Sequence, residues 1–208
     1  TNHLGGLIFS LGGPQEQLNR TERFQKKSKV PLLIGMDAEW GVAMRLDSVP
    51  AFPWNMTLGA TKDKKLVAAI GQRIGEQAHR LGVHINFAPS VDLNTNPKNP
   101  IIGNRAFGED PIQVAEMGKA FMQWMHTGGV LSSAKHFPGH GDTSKDSHYD
   151  LPVIQFDRQR LENVELYPFK EMIQAGVSSV MVAHLNVPAL EEGTHSSMSK
   201  VIVQEQWK

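Results

Sequence analysis

The sequence contains no cysteine among its 208 residues, which excludes a disulfide framework, a thiolate nucleophile and a thiolate zinc site. It also lacks an excess of either charge, since 21 Lys and Arg residues balance 21 Asp and Glu residues. Proteins that bind nucleic acid electrostatically usually carry a basic face, so this balance argues against that class. No apolar run approaches the roughly 18 residues that a membrane-spanning helix needs. Apolar residues make up 40% and charged residues 20% of the chain, which is typical of a globular domain.

Short apolar runs alternate along the chain with longer amphipathic segments. The apolar runs predict five strands, at residues 7–9, 31–36, 85–89, 130–135 and 179–183. The amphipathic segments predict helices at residues 15–27, 62–81, 112–127 and 157–175. Pro168 interrupts the last of these, and Ser199 is predicted to cap one more helix. Thr61 is the predicted N-cap of the helix over 62–81, whose predicted apolar stripe comprises Leu66, Ile70, Ile74, Ala78 and Leu81.

The predicted strands are apolar on both faces, which is typical of parallel strands covered by helices. Alternating strands and helices form either a doubly wound sheet or a (β/α)8 barrel. No Gly-x-Gly-x-x-Gly motif follows the first strand, which weakens the dinucleotide-binding alternative. Polar clusters follow the strands instead, as they do in barrel enzymes, whose active sites lie at the carboxyl ends of the strands. We therefore predict an incomplete (β/α)8 barrel with parallel strands, about five of eight β/α units, forming one partial catalytic domain over residues 1–208.

The densest concentration of ionisable side chains lies between Lys135 and His148, with three histidines and two aspartates in 14 positions. Lys135 and His136 are neighbours, so both reach one site only if the strand ends or bulges there, and Pro138-Gly139 supplies that break. Asp146 and His148 are two positions apart, which places both on one side of an extended segment. A carboxylate in that position orients an imidazole and favours its protonated form, so the ring can donate a proton near neutral pH.

Two other interpretations of this segment stay open. In the first, the histidines are solvated loop residues or helix caps. In the second, the protein is a metal-dependent hydrolase whose metal ligands are His136, His140, Asp142 and His148. Histidines at i and i+4 suit a helix, but the intervening proline and glycines forbid one, so we predict no metal site.

The segment 135–143 (KHFPGHGDT), followed by Asp146-Ser147-His148 and Leu151-Pro152, resembles the signature of the β-N-acetylhexosaminidases of glycoside hydrolase family 3. The resemblance extends over nearly the whole chain, through residues 88–92, 99–108, 165–169 and 180–184. It implies a (β/α)8-type barrel and a retaining two-step hydrolysis. In that mechanism a carboxylate attacks the anomeric carbon and water then releases the sugar.

The resemblance also implies roles for individual residues. His148 is the implied acid/base and Asp146 is its orienting partner, in place of a second carboxylate. The implied ligands of the sugar hydroxyls are Asp37, Arg45, Arg105, Lys135 and His136. The alternative for each of these five is an ordinary structural role, such as a turn cap or a surface position.

The first loop departs from the pattern that the family often shows, Asp-Gln-Glu-Gly-Gly. It reads Asp37-Ala38-Glu39-Trp40-Gly41 in this chain. Trp40 is either a stacking platform for the substrate or a packing residue. His184, at a predicted strand end, either lines the site or packs in the core. The departure leaves the leaving-group preference open, including any preference for muropeptide fragments.

The resemblance places the nucleophilic aspartate at the end of a later strand, after the helix that begins near Ser199. Lys208 precedes that strand, so we expect no nucleophile in this chain and no turnover by it alone. The chain also begins at Thr1 without a methionine and ends within a predicted helix. We therefore expect a segment truncated at both ends.

The leading hypothesis is a parent protein that hydrolyses terminal β-linked N-acetylhexosamine from glycosides or peptidoglycan fragments. The alternatives are a non-catalytic carbohydrate-binding module and a glycoside phosphorylase, in which phosphate accepts the glycosyl group. The predicted partner is a carbohydrate that contains N-acetylglucosamine, and no cofactor, nucleic acid or membrane span is expected. The sequence leaves the compartment and the oligomeric state open.

Overall fold

A computed structural model describes residues 4–144 and 151–205 of the chain. Its strands form one sheet in which all neighbours are parallel and the spatial order equals the chain order. The strands are β1 (Gly6–Ile8), β2 (Leu33–Met36), β3 (Ile85–Asn86), β4 (Leu131–Phe137) and β5 (Ser179–Val182). A doubly wound sheet reverses its strand order partway, whereas a barrel does not. The prediction of an incomplete (β/α)8 barrel is therefore confirmed.

Helices connect the strands. They are α1 (Pro14–Lys27), α2 (Asn55–Thr61), α3 (Lys64–Arg80), α4 (Pro111–Thr127), α5 (Arg158–Asn163) and α6 (Tyr167–Gln174). The predicted break at Pro168 is confirmed, because this proline stands in the first turn of α6, where a missing N–H costs no hydrogen bond. The Ser199 hydroxyl accepts the N–H of Ile202 at 2.9 Å and so caps a final helical turn at Val201–Glu205, as predicted.

The helix predicted over 62–81 begins later, and a separate helix precedes it. The short helix α2 ends at Thr61, because Lys62 takes a left-handed backbone conformation with φ of 54°. Asp63 is the N-cap of α3, since its carboxylate accepts the N–H groups of Lys65 and Leu66 at 2.9 and 3.2 Å. The prediction of Thr61 as the N-cap was wrong, because two residues of capping type stand two positions apart and periodicity does not separate them.

Glycines bring α3 close to α4. A Cβ on Gly71 would lie 2.4 Å from the carbonyl oxygen of Phe121, and one on Gly75 would lie 2.5 Å from that of Met125. This contact turns the buried face of α3 away from Leu66, a predicted stripe residue that is 40% exposed. The helical positions of the predicted stripe that are buried are Ile70, Ile74 and Ala78.

Core side chains hold the carboxyl ends of the strands in place. Phe137, the last residue of β4, is buried and packs edge to face against Phe169 of α6, with 5.4 Å between the ring centroids. Asn86 of β3 accepts the N–H of Ala38 at 2.9 Å and donates to its carbonyl oxygen at 3.1 Å. The loop after β2 is thereby fixed to β3, which positions the side chains around Ala38.

Candidate active site

The side chains predicted to bind substrate meet in one cleft at the carboxyl ends of β2, β4 and β5. The cleft has a volume of about 490 Å³. All five predicted ligands of the sugar hydroxyls line it: Asp37, Arg45, Arg105, Lys135 and His136. The two residues predicted as lining candidates, Trp40 and His184, line it as well.

Asp37 follows β2 directly and is held between two cations. Its Oδ1 lies 2.9 Å from Nζ of Lys135, and its Oδ2 lies 2.7 Å from a guanidinium nitrogen of Arg45. Burial raises the pKa of Asp37, but the Lys135 ammonium and the Arg45 guanidinium lower it by more, so its pKa lies below the usual range. The site therefore holds an ionised carboxylate that accepts hydrogen bonds.

Glu39 forms the floor of the cleft, a role that the sequence analysis missed. Its fully buried carboxylate accepts Arg105 Nε at 3.0 Å and a terminal Arg105 nitrogen at 2.8 Å, and it lies 2.7 Å from Nζ of Lys135. Burial raises the pKa of Glu39, but the charges of Lys135 and Arg105 lower it by a larger amount. The pKa of Glu39 therefore lies below its usual value. Glu39 stands two positions after Asp37, and this i, i+2 spacing was the available signal.

A bulge brings Lys135 and His136 to the same cleft. The register between β4 and β5 shifts between Lys135 and Phe137, so the two neighbouring side chains escape the alternation of a regular strand. Both residues line the cleft. The sequence predicts such an irregularity, but places it at Pro138-Gly139, just beyond the end of the strand.

His136 is held from both sides. Its Nδ1 lies 2.7 Å from Oδ2 of Asp92, and its Nε2 lies 3.1 Å from a guanidinium nitrogen of Arg105. A guanidinium only donates hydrogen bonds, so in the neutral ring Nε2 accepts and Nδ1 carries the proton. Both ring nitrogens are engaged within the protein, and donation by His136 to a sugar hydroxyl stays a prediction.

Asp92 is a second residue whose role the sequence analysis missed. Its buried carboxylate accepts the hydroxyl of Ser90 at 2.9 Å, the N–H of His136 at 3.1 Å and the N–H of His140 at 2.7 Å. Burial raises the pKa of Asp92, but His136 and the N–H of His140 lower it by more, and its pKa lies well below the usual range. The available signal was the position of Asp92 in the loop that follows β3, at the same edge of the sheet as the other site residues.

The loop after β4 is tied to the segment around Asn99. The Asn99 side chain donates to the carbonyl oxygens of His140 and Gly141 at 2.7 and 3.0 Å. A Cβ on Gly141 would lie 1.6 Å from the carbonyl oxygen of Leu93, so only glycine fits there. The start of this loop, up to Gly141, is therefore closely held against neighbouring backbone.

His140 is buried, and its side chain makes a contact within this loop. Its Nδ1 lies 2.6 Å from the hydroxyl of Thr143. Burial lowers the pKa of His140 by more than Asp92 raises it, so the ring stays neutral at neutral pH. From the sequence, this histidine and Asp142 were considered as ligands of the alternative metal site.

The predicted acid/base pair, His148 and Asp146, lies outside the described residues. Its roles stay predictions that rest on the sequence. Of the ligands in the alternative metal site, His136 and His140 turn Nδ1 toward Asp92 and Thr143. Within residues 4–144 and 151–205, no group of three or more His, Cys, Asp or Glu side chains is arranged to hold a metal ion.

His184 and Trp40 reach the cleft from two different loops, those that follow β5 and β2. His184 follows β5, is exposed, and contacts Ser197 Oγ through Nδ1 at 2.6 Å and His195 Nδ1 through Nε2 at 2.7 Å. Trp40 is half-buried and stacks on Trp54, a residue that the sequence analysis did not single out.

None of the helices in the described parts of the chain is long and apolar enough to cross a membrane.

Comparisons with known proteins identify the relatives of this chain. Residues 1–208 match the model of the glycosyl hydrolase family 3 N-terminal domain. The chain is 42% identical over 173 residues to beta-hexosaminidase A of Pseudoalteromonas piscicida. The aligned region covers 80% of this chain and 29% of that protein.

Two solved structures show the same likeness. A glycoside hydrolase family 3 beta-N-acetylglucosaminidase from Paenibacillus sp. str. FPU-7 superposes with a TM-score of 0.94 at 39% identity, over 99% of this chain and 41% of that one. The beta-glucoside phosphorylase BglX superposes with a TM-score of 0.87 at 28% identity, over 89% of this chain and 34% of that one. This chain thus spans less than half the length of each of these three proteins. Since the family model matches the whole sequence, the chain belongs to glycosyl hydrolase family 3, whose N-terminal domain it matches.

Proposed function

We propose that these residues are the sugar-binding part of a retaining β-N-acetylhexosaminidase, which releases terminal β-linked N-acetylglucosamine from glycosides or peptidoglycan fragments. The observation that carries the proposal is the ion-paired cluster of Asp37, Arg45, Lys135, Glu39 and Arg105 in the cleft. The names of two similar proteins, a beta-hexosaminidase and a beta-N-acetylglucosaminidase, support it.

The cluster suits a ligand that is rich in hydroxyl groups. The ionised carboxylate of Asp37 accepts hydrogen bonds, and its two cationic partners keep it ionised. The ammonium of Lys135 carries three N–H groups, and the contacts with Asp37 and Glu39 use two of them. Lys135 lines the cleft, and the proposal assigns the third N–H to a sugar hydroxyl, because a charged donor makes a stronger hydrogen bond than a neutral one.

His148 is the acid/base of the proposed mechanism, and Asp146 orients its ring. In the first step a carboxylate attacks the anomeric carbon while His148 gives its proton to the leaving-group oxygen. In the second step His148 takes a proton from the water that attacks the same carbon, so the β configuration is retained. The nucleophile is an aspartate outside residues 1–208, and we propose that these residues alone do not turn over substrate.

The test uses the full-length polypeptide that carries these residues. It should hydrolyse 4-nitrophenyl N-acetyl-β-glucosaminide faster than the β-glucoside, and nuclear magnetic resonance should detect the β anomer first. The variant His148→Ala should lose more activity on N,N′-diacetylchitobiose than on the nitrophenyl substrate, because a poor leaving group needs protonation and nitrophenolate does not. His79→Ala, at an exposed position on α3, is the matched control. Equal losses on both substrates would remove His148 from the acid role.

The segment itself tests the second part of the proposal. Purified residues 1–208 should release no nitrophenol above the blank at concentrations where the full-length protein is active. Steady hydrolysis by this segment, abolished by His148→Ala, would show that the nucleophile lies within it.

A glycoside phosphorylase is the second candidate, because one similar structure is named a beta-glucoside phosphorylase. In that reaction phosphate replaces water in the second step, and the product is a sugar 1-phosphate. Phosphorus nuclear magnetic resonance of a reaction in phosphate buffer separates the two candidates. Binding of N-acetylglucosamine without either product from the full-length protein would favour a non-catalytic module.

A further inference from the structure

Trp40 and Trp54 form an indole pair in the wall of the cleft. Their ring centroids are 4.0 Å apart and their planes are inclined by 34°. Both side chains line the same cleft as Asp37 and Arg45. Trp54 is 42% exposed, so this pair offers the cleft an aromatic surface in contact with solvent.

The main chain holds this pair in place. The N–H of Phe52 donates to the carbonyl oxygen of Trp40 at 3.0 Å, which folds the loop back on itself. Gly41 has φ of 93°, and a Cβ there would lie 2.8 Å from the Phe52 ring, so glycine permits the close approach. Trp54 stands immediately before α2, whose start fixes its backbone. The two indoles are therefore preorganised rather than carried on a loose loop.

The exposure of Trp54 separates this pair from the core aromatics. Phe107 and Phe121 also form a ring pair, and both are fully buried. Leaving an indole in water forfeits the free energy that burial would contribute, and Trp54 combines this exposure with a position in the cleft. A β-linked pyranose presents faces made of axial C–H groups, and such a face packs well on a flat aromatic ring.

Two of the polar side chains lie deeper in the cleft than the exposed indole of Trp54. Lys135 and Glu39 are buried at its floor, whereas Trp54 is open to solvent. The floor suits the hydroxyl groups of the terminal sugar, and the group that leaves on bond cleavage extends from that sugar toward solvent. The indole pair is then next along the substrate.

We propose that Trp40 and Trp54 form the leaving-group subsite and that this subsite takes a pyranose ring, the reducing-side sugar of a β-linked disaccharide. This inference rests on the proposed function. The indole pair selects by shape and apolar contact, so it favours a sugar ring over a small alkyl leaving group.

The test compares two substrates in the full-length protein. N,N′-diacetylchitobiose fills the subsite, whereas methyl N-acetyl-β-glucosaminide leaves it empty. We expect Trp54→Ala to lower kcat/KM for the disaccharide by about tenfold, mainly through KM, with a smaller loss for the methyl glycoside. Trp54→Phe keeps an aromatic face and should restore most of the ratio between the two substrates. Trp124→Ala is the control, because Trp124 is 46% exposed on α4 and does not line the cleft.

Equal losses on both substrates, or no loss on either, would overturn the inference. If the wild-type protein hydrolyses neither substrate, the proposed function fails, and calorimetry then tests the indole pair directly. In that case tighter binding of the disaccharide than of N-acetylglucosamine, lost in Trp54→Ala, supports the subsite. Equal affinity of wild type and Trp54→Ala for the disaccharide overturns it.

Discussion

Asp92 accepts two hydrogen bonds from His136, one from its backbone N–H at 3.1 Å and one from its Nδ1 at 2.7 Å. The other carboxylate oxygen of Asp92 accepts the N–H of His140 at 2.7 Å. One buried side chain thus orients the His136 ring and anchors the loop that follows β4. This loop continues in the sequence toward His148, so Asp92 links the cleft to the segment that carries the predicted acid/base.

The variant Asp92→Asn should weaken both stability and activity. Asparagine keeps one acceptor oxygen and turns an NH2 group toward the donors of either His136 or His140, so we expect a loss of about 2–4 kcal/mol in the free energy of unfolding. We expect kcat/KM of the full-length protein to fall about 10- to 100-fold, because a misplaced ring costs that much. Urea denaturation and steady-state kinetics measure the two effects. Asp47→Asn, at an exposed position, should change stability by less than about 0.5 kcal/mol, and similar losses in both variants would contradict the anchoring role.

Two glutamates at the same distance from a lysine should differ in their contribution to stability. Glu39 lies 2.7 Å from Lys135 and is fully buried, while Glu116 lies 2.7 Å from Lys64 on the surface. Glu39→Gln removes the negative charge that faces the buried cations Lys135 and Arg105. We expect it to lower the free energy of unfolding by about 3–5 kcal/mol. Glu116→Gln should cost at most about 1 kcal/mol, because water screens an exposed pair. Denaturant titrations of both variants check this contrast, and equal costs would refute it.

Acid should destabilise the fold. The pKa values of Asp37, Glu39 and Asp92 are lowered in the folded chain, so the unfolded chain binds more protons as the pH falls. Their contribution is fully present above the ordinary carboxyl pKa of about 4 and is lost as the pH falls through the lower folded values. Urea unfolding at pH 6, 5, 4 and 3 should therefore give steadily lower free energies below about pH 5. Asp92→Asn should flatten this slope, and a flat wild-type profile would contradict the lowered pKa values.

Gly141→Ala should disrupt the loop after β4. The added methyl group would lie 1.6 Å from the Leu93 carbonyl oxygen, so the loop or the Leu93 backbone has to move. We expect a stability loss of at least about 2 kcal/mol and a clear loss of activity in the full-length protein. Gly5→Ala is the control, because no atom lies within 4 Å of its added Cβ. Unchanged activity in Gly141→Ala would show that the loop tolerates displacement.

The fold was largely predictable because its signals are local. Apolar runs separated by amphipathic segments predict the alternation of strands and helices, and Pro168 predicts the break before α6. Helix starts were less predictable, because Thr61 and Asp63 are both good capping residues. Leu66 was misassigned to the buried stripe, since the contact face of α3 depends on Gly71 and Gly75 against α4 rather than on hydrophobicity.

The candidate site was partly predictable for a different reason. Residues at the carboxyl ends of parallel strands meet at one edge of the sheet, so Asp37, Lys135 and His136 were expected together. Glu39 and Asp92 were not assigned roles, because their functions depend on which cation or N–H group faces them. Trp54 went unnoticed for the same reason, since its pairing with Trp40 arises from a loop that folds back.

The sequence by itself determined the fold class, the family and the set of candidate polar ligands, because periodicity, capping chemistry and a long motif are all local properties. Only the tertiary structure decided how these ligands are paired and charged. Ionisation depends on burial and on neighbours distant along the chain, such as Lys135 beside Asp37 and His136 beside Asp92. The partner of a charged group is set by how distant strands and helices pack together, which no short stretch of sequence encodes.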